Sequence, residues 1–277
     1  MTLNVAELRS KFEAAHYLLE TTDNKILFMW LWEPPEQQRK NSAILLFHGI
    51  TAYAGPYELL LKPLVGRGFT VYGLDLRGHG LSDGIRGDYP SRERFIKDLC
   101  EAVAFVKERH KKVILLGHSL GVLSSLFALN NCLENVSGTV LLSGARTTKS
   151  DITQNISLSQ KMKILLSSLV KPSKPVIKYE RDGQVGLDDP IFNFRYTLRF
   201  MKIMALRQME FPKDMQIPVF VGVGDCDELF SVEDCRKLFE EVPSDTKQFY
   251  VAEGGKHAEF PPGSWDSLGV WLDEHFD

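Results

Sequence analysis

The stretch Val113–Leu129 constrains this chain more than any other. The short apolar run Val113–Leu116 reads as a buried parallel strand. Gly117-His118-Ser119-Leu120-Gly121 then reads as a turn, and the apolar residues after it as a helix. A G-x-S-x-G motif between strand and helix is a nucleophile elbow. The turn is so tight that the serine backbone is strained and the positions two residues to either side cannot carry bulk. Gly117 and Gly121 meet that requirement. Such a turn lifts the Ser119 hydroxyl above the sheet edge and aims the helix N-terminus at a developing negative charge.

Strand-length and helix-length apolar patterns alternate over most of the 277 residues. Runs at about 13–20 and 25–32 read as antiparallel edge strands. Ala43–Phe47, Phe69–Leu74, Val136–Ser143, Pro218–Gly224 and Lys247–Val251 read as further strands. Tyr57–Gly66, Arg92–Arg109, Val232–Glu240 and Trp265–Phe276 read as helices. This alternation predicts an α/β fold, with a mostly parallel central sheet flanked by helices. At 44% hydrophobic the chain can bury one substantial core.

The middle breaks the pattern. Arg146–Glu210 holds helix-like stretches at Met162–Val170 and Phe192–Leu206, with twelve Lys+Arg against six Asp+Glu. Between two sheet strands it reads as an inserted helical cap over residues 146–210, the core being residues 1–145 and 211–277. Its positive charge reads as a solvated outer face.

Bulk properties narrow the partners. A net charge of −3 gives no basic footprint for nucleic acid. Four separated cysteines without a C-x-x-C pair argue against a zinc site and fit reduced thiols in the cytoplasm. The N-terminus lacks the pattern of a signal peptide, and no window approaches eighteen uncharged apolar residues, so no transmembrane segment is expected.

A serine hydroxyl needs a general base within hydrogen-bond reach and a carboxylate to orient that base. On a strand-turn-helix elbow the expected chain order is Ser, then Asp or Glu, then His. Of seven histidines only His257 and His275 follow Ser119, and His275 lies in the terminal helix pattern. His257 follows the last strand, at the sheet edge where parallel strands all end, and is the expected base. The acid should follow Pro218–Gly224, where Asp225, Asp227 and Glu228 compete. Asp227, one step further round the turn than Asp225, can extend toward the histidine loop and is favoured, whereas Asp225 suits turn bonding and Glu228 comes third. The oxyanion hole should take one backbone N–H from Leu120 and one from Ile50, with Gly49 letting that loop bend. His48 reads as a structural support pinning the loop, and His118 as a packed elbow residue. The glycine-rich Asp75–Ser82 loop lacks nucleotide-binding spacing and reads as a folded loop shaping the site floor.

With His48-Gly49, Asp75–Ser82, the Gly-His-Ser-Leu-Gly elbow, Gly224-Asp225-Cys226-Asp227 and His257 in place, the chain resembles the α/β-hydrolase superfamily over nearly its whole length. Within it the chain is most similar to the monoacylglycerol lipase and lysophospholipase group, the serine aminopeptidase-like hydrolases. The resemblance implies Ser119 as nucleophile, Asp227 as acid, His257 as base and a cap closing over an acyl pocket. It departs from the group at Ile50–Tyr57, where many members have a Gly-Glu-His-Ser-like stretch.

The expectation is a serine hydrolase cleaving carboxylic esters with an apolar acyl chain, through an acyl-enzyme on Ser119. It needs no cofactor and no metal, and its cap can touch a lipid surface transiently. A peptidase or amidase on the same residues, or a non-catalytic ligand receptor, are the alternatives.

Overall fold

The computed structural model of the chain describes residues 4–149, 158–180 and 184–276. A short helix, α1 (Val5–Ser10), precedes two antiparallel strands, β1 (His16–Glu20) and β2 (Ile26–Trp32). The strands that follow in the main sheet are β3 (Ser42–Phe47), β4 (Thr70–Leu74), β5 (Lys112–His118), β6 (Gly138–Leu142), β9 (Val219–Gly224) and β10 (Lys247–Ala252). Their order is β1-β2-β4-β3-β5-β6-β9-β10, and every pair from β4 to β10 is parallel. The β2–β4 pair is antiparallel, so the early strands form the edge expected of them.

Period-two alternation assigns each strand's residues to two layers. Leu45 and Phe47 of β3, with Val113 and Leu115 of β5, pack on α3 (Arg92–Lys107) and α4 (Leu120–Cys132). Ile44, Leu46, Ile114 and Leu116 face the other way, onto α2 (Glu58–Gly66) and α8 (Asp266–Phe276). With both faces covered, all six β3 residues are buried, which is why these strands read as continuous apolar runs. Helix α3 starts where Ser91 caps it, its hydroxyl accepting the Arg94 N–H at 3.1 Å. It then buries Phe95, Leu99, Ala102, Val103 and Val106 along one stripe. Helix α7 (Val232–Glu240) is capped by Ser231 in the same way.

After β3 the chain steps to β4 on one side and returns to β5 on the other. The loops leaving β3 and β5 therefore diverge at a topological switch point, where this fold class opens a crevice at the carboxyl ends of its strands.

Between β6 and β9 lie α5 (Leu158–Val170), a two-stranded ribbon of β7 (Ile177–Lys178) and β8 (Arg195–Tyr196), and α6 (Leu198–Ile203). The segment is thus not purely helical. Only the second half of Phe192–Leu206 is helix, because Arg195–Tyr196 pairs with β7 and the Thr197 hydroxyl caps α6 by accepting the Phe200 N–H at 3.1 Å. Parts of it, 150–157 and 181–183, lie outside the described residues. Its near end is fastened to the rest of the molecule. Asp88 accepts from the Thr197 hydroxyl at 2.7 Å and from Arg199 Nε at 2.6 Å, and the Asn193 N–H donates to the Thr51 carbonyl at 2.9 Å. Among the described residues no helix is long and apolar enough to cross a membrane.

Candidate active site

Ser119 sits between β5 and α4 with φ 56° and ψ −118°, a left-handed conformation that costs a non-glycine residue on the order of 1–3 kcal/mol. The surroundings enforce it. Its N–H donates to the Leu142 carbonyl at 2.9 Å, and α4 begins at the next residue. A Cβ at Gly117 would stand 2.3 Å from the Gly121 carbonyl oxygen, and one at Gly121 would stand 1.9 Å from that of Phe47. Neither position has room for a side chain.

His257 follows β10 and brings Nε2 to 3.0 Å from Ser119 Oγ. Its Nδ1 lies 3.0 Å from Asp227 Oδ2, where a ring N–H donates to the carboxylate and leaves Nε2 free to accept the serine proton. Asp227 is fully buried, and its Oδ1 accepts the N–H groups of Leu229 at 2.8 Å and Phe230 at 2.9 Å. Burial pushes the Asp227 carboxyl up, but the His257 ring and those two N–H donors outweigh it and hold the group below its ordinary value. The other two acids do different work. Asp225 Oδ1 accepts the Gly254 N–H at 2.8 Å, and Glu228 Oε2 accepts the His257 backbone N–H at 3.0 Å, bracing the histidine loop and not the ring. His275 is remote, on α8, with Nδ1 at 2.9 Å from the Trp271 carbonyl.

The loop after β3 faces Ser119 directly. A Cβ on Gly49 would lie 3.4 Å from Ser119 Cβ. Successive peptides of this loop are held from different sides. The Gly49 N–H donates to the Tyr57 hydroxyl at 2.9 Å. The Gly49 carbonyl, in the same peptide unit as the Ile50 N–H, accepts from His48 Nδ1 at 2.8 Å. The Ile50 carbonyl accepts from the Tyr196 hydroxyl at 2.7 Å, with His79 Nε2 at 3.0 Å. His48 Nε2 accepts the Leu76 N–H at 3.1 Å, and burial lowers this ring's pKa to about 4, so it stays neutral. The Leu120 N–H belongs to the first turn of α4, on the Ser119 side of the same gap.

A cavity of about 850 Å³ opens on Ser119 and His257. One wall is α2, through Leu59, Leu60, Pro63 and Leu64. The loop after His257 also lines it, through Phe260, Pro261, Pro262 and Trp265. Among the described residues of the segment between β6 and β9, Tyr179, Gln184, Val185 and Phe192 reach it. Leu165 and Leu169 of α5 are instead 46% and 72% exposed and do not line it. Nor does Asp75–Ser82, expected at the site floor. That loop acts one layer below, bonding the β3 loop through His79 and the Leu76 N–H.

Tyr57 and Tyr196 do not stand out in the sequence, and Glu228 stands out only as a competing acid, not as a brace on the His257 backbone. Tyr57 carried one available signal, its position at the start of the helix that follows the Gly49–Ile50 loop. Tyr196 carried none, since its contact with Ile50 spans 146 positions.

A family model described as serine aminopeptidase, S33, matches residues 38–260. Monoglyceride lipase of Rattus norvegicus is 25% identical over 257 residues, spanning 86% of this chain and 82% of that protein. Monoacylglycerol lipase of Mycolicibacterium smegmatis is 26% identical over 263 residues, spanning 88% and 92%. The crystal structure of Paleococcus ferrophilus monoacylglycerol lipase superposes with a TM-score of 0.71 at 26% identity, over 90% of this chain and 99% of that one. A crevice at the switch point, an elbow serine and a match over most of the length agree: the chain belongs to the serine aminopeptidase S33 family of α/β-hydrolases, in its monoglyceride-lipase-like group.

Proposed function

We propose that this protein is a serine hydrolase of carboxylic esters carrying an apolar chain. The observation that carries the reading is the line Ser119 Oγ, His257 Nε2, His257 Nδ1, Asp227 Oδ2, with 3.0 Å at each hydrogen bond, opening into a largely apolar cavity. Ser119 Oγ attacks the acyl carbonyl while His257 Nε2 takes its proton, and Asp227 stabilises the imidazolium. The Ile50 and Leu120 N–H groups receive the oxyanion. His257 then passes the proton to the leaving alcohol, and water releases the acyl group from Ser119 by the same steps. Monoglyceride and monoacylglycerol lipases among the relatives support the ester class.

The apolar chain lies between α2 and the Phe260–Trp265 loop, and the segment 146–210 acts as a cap through Tyr179, Gln184, Val185 and Phe192. Its helix α5 turns Met162, Leu165, Leu166, Leu169 and Val170 to solvent, beside Lys171 and Lys174. An apolar stripe flanked by lysines supports transient contact with a lipid surface.

The test is a rate comparison on p-nitrophenyl esters of two to sixteen carbons, monoacylglycerols and aminoacyl anilides. Ser119→Ala should lower kcat by a factor on the order of 10⁶ and abolish fluorophosphonate labelling. Retention of more than a few per cent of esterase activity would remove Ser119 from the mechanism. Faster turnover of the anilides would favour an amidase, for which the Glu228, Glu259 and Asp266 carboxylates around the cavity could hold a substrate amine.

A further inference from the structure

Three hydrogen bonds in series join the three loops that carry the site. The Gly49 N–H donates to the Tyr57 oxygen at 2.9 Å, the Tyr57 hydroxyl lies 2.8 Å from His118 Nδ1, and His118 Nε2 lies 2.8 Å from the His257 carbonyl oxygen. One arrangement of protons satisfies all three. A carbonyl cannot donate, so His118 Nε2 carries hydrogen and gives it to His257. Nδ1 then accepts the phenolic proton of Tyr57, whose oxygen is left to accept the Gly49 N–H. His118 is 4% exposed, and burial brings its pKa down to about 3, so the ring stays neutral wherever the protein is folded. Both ring nitrogens of His118 are thereby occupied. Its Nε2 faces the His257 backbone and not Ser119, so His118 is no second base.

We propose that Tyr57 and His118 are positioning residues for the ester hydrolysis read above, tying the Gly49–Ile50 loop and the His257 loop to the elbow between them. The proposal rests on that reading. It follows from what each bond fixes. With its N–H given to Tyr57, the His48–Gly49 peptide cannot turn toward the oxyanion. The next peptide, pinned by His48 through the Gly49 carbonyl, is left to present the Ile50 N–H. At the other end the His257 carbonyl is held from His118 and its N–H from Glu228. The backbone that carries the imidazole is thus clamped on both sides of its Cα. Donors fixed before charge develops are worth more than donors that must reorganise, so loss of a bond in this chain weakens the transition state more than the ground state, although both rings also line the cavity.

Tyr57→Phe keeps the ring and removes the hydroxyl, and His118→Phe cuts the chain at its centre. Each is measured for kcat and KM on a short p-nitrophenyl ester and for inhibition by a trifluoromethyl ketone, whose serine adduct places an oxyanion in the hole. Active sites are counted by fluorophosphonate titration. Tyr57→Phe should lower kcat per titrated site about 10- to 100-fold with KM within about twofold. The inhibition constant of the ketone should rise by the factor that kcat/KM loses. The losses in the double variant should fall short of the product of the single losses, since one chain is cut in both. An unchanged kcat per titrated site in Tyr57→Phe overturns the proposal, as do losses that multiply in the double variant. If Tyr57→Phe folds too poorly to titrate, the kcat and KM split in His118→Phe decides alone. Activity surviving in Ser119→Ala would defeat the hydrolase reading itself, and is thereby told apart from a failure of the positioning pair.

Discussion

Gly121 and Phe47 meet backbone to backbone. A Cβ on Gly121 would fall 1.9 Å from the Phe47 carbonyl oxygen. This contact presses the first turn of α4 against the end of β3, so the elbow and the Gly49–Ile50 loop share one fixed spacing. Neither side is a flexible side chain that could yield. Gly121→Ala should therefore cost about 3 kcal/mol, the upper end for overpacking, and lower Tm by roughly 5–10 °C. Fluorophosphonate labelling of the folded fraction should slow as the elbow separates from the loop. An alanine variant with the parent Tm and labelling rate would show that the contact is loose.

Two aspartates two residues apart should respond in opposite ways. Asp227→Asn replaces the acceptor of the His257 ring proton and should lose roughly 10³–10⁴ in kcat through the wrong histidine tautomer. Asp225→Asn alters the contacts of this carboxylate with the Gly254 N–H and the Cys226 thiol, and should cost about 1 kcal/mol or less of stability with kcat retained. Steady-state rates beside urea unfolding of both variants check this. An inactive but stable Asp225→Asn would exchange the roles.

Chain-length preference should follow α2 and not α5. Leu60→Trp fills the cavity wall, where each methylene excluded from burial is worth about 0.8 kcal/mol. Turnover of octanoate and palmitate esters should fall relative to acetate. Leu169→Trp points outward and should leave the profile of soluble esters as it was while changing partition onto anionic lipid vesicles. If Leu169→Trp shifts the chain-length profile and Leu60→Trp does not, the apolar chain runs under α5.

Stability should decline as pH drops from about 6.5 toward 4. Burial depresses the folded pKa of His48 to about 4 and of His118 to about 3, against 6.5 for a free ring. The unfolded chain therefore binds more protons across this window, and stability present above pH 6.5 is lost on acidification, on the order of 3 kcal/mol for His48. Asp75 opposes the trend. Burial raises its carboxyl to about 7, so it favours the folded state as pH falls below that. Two histidines outweigh one carboxyl of similar shift. Urea midpoints at pH 7, 5.5 and 4.5 should decrease in that order, and His118→Phe should flatten the slope. Equal midpoints at all three values would mean that these rings are not buried neutral.

Hydrophobic periodicity alone outlines the sheet. Parallel strands covered on both faces must be apolar throughout, so Ala43–Phe47 and Val113–Leu116 announce themselves, and a serine between glycines at a strand end has few other uses. Chain order then placed His257 and the Asp225–Glu228 turn at the same sheet edge, because every parallel strand ends there. Asp227 is favoured over Asp225 and Glu228 by its place in the turn and by the family resemblance, and its carboxylate is the one that meets the ring, because a tight turn decides where each of the three points.

The inserted segment was the least legible. Leu165 and Leu169 have a core helix's composition yet face outward, and Arg195–Tyr196 leaves a helical pattern to pair with Ile177–Lys178. Local periodicity says that a stripe is apolar but not what covers it, and a two-residue ribbon has too little sequence to signal itself. Some of the bonds that set the site loops are local, as between Gly49 and each of His48 and Tyr57, but others were decided by the tertiary structure alone. His118 on His257 and Tyr196 on Ile50 each satisfy a backbone group whose partner exists only once the fold has brought separate loops together. The chain by itself determined which residues are the candidates for the chemistry, through strand order and glycine spacing. Folding decided how firmly they are held, because several of the holding groups, His118 and Tyr196 among them, are distant in sequence and ordinary in type.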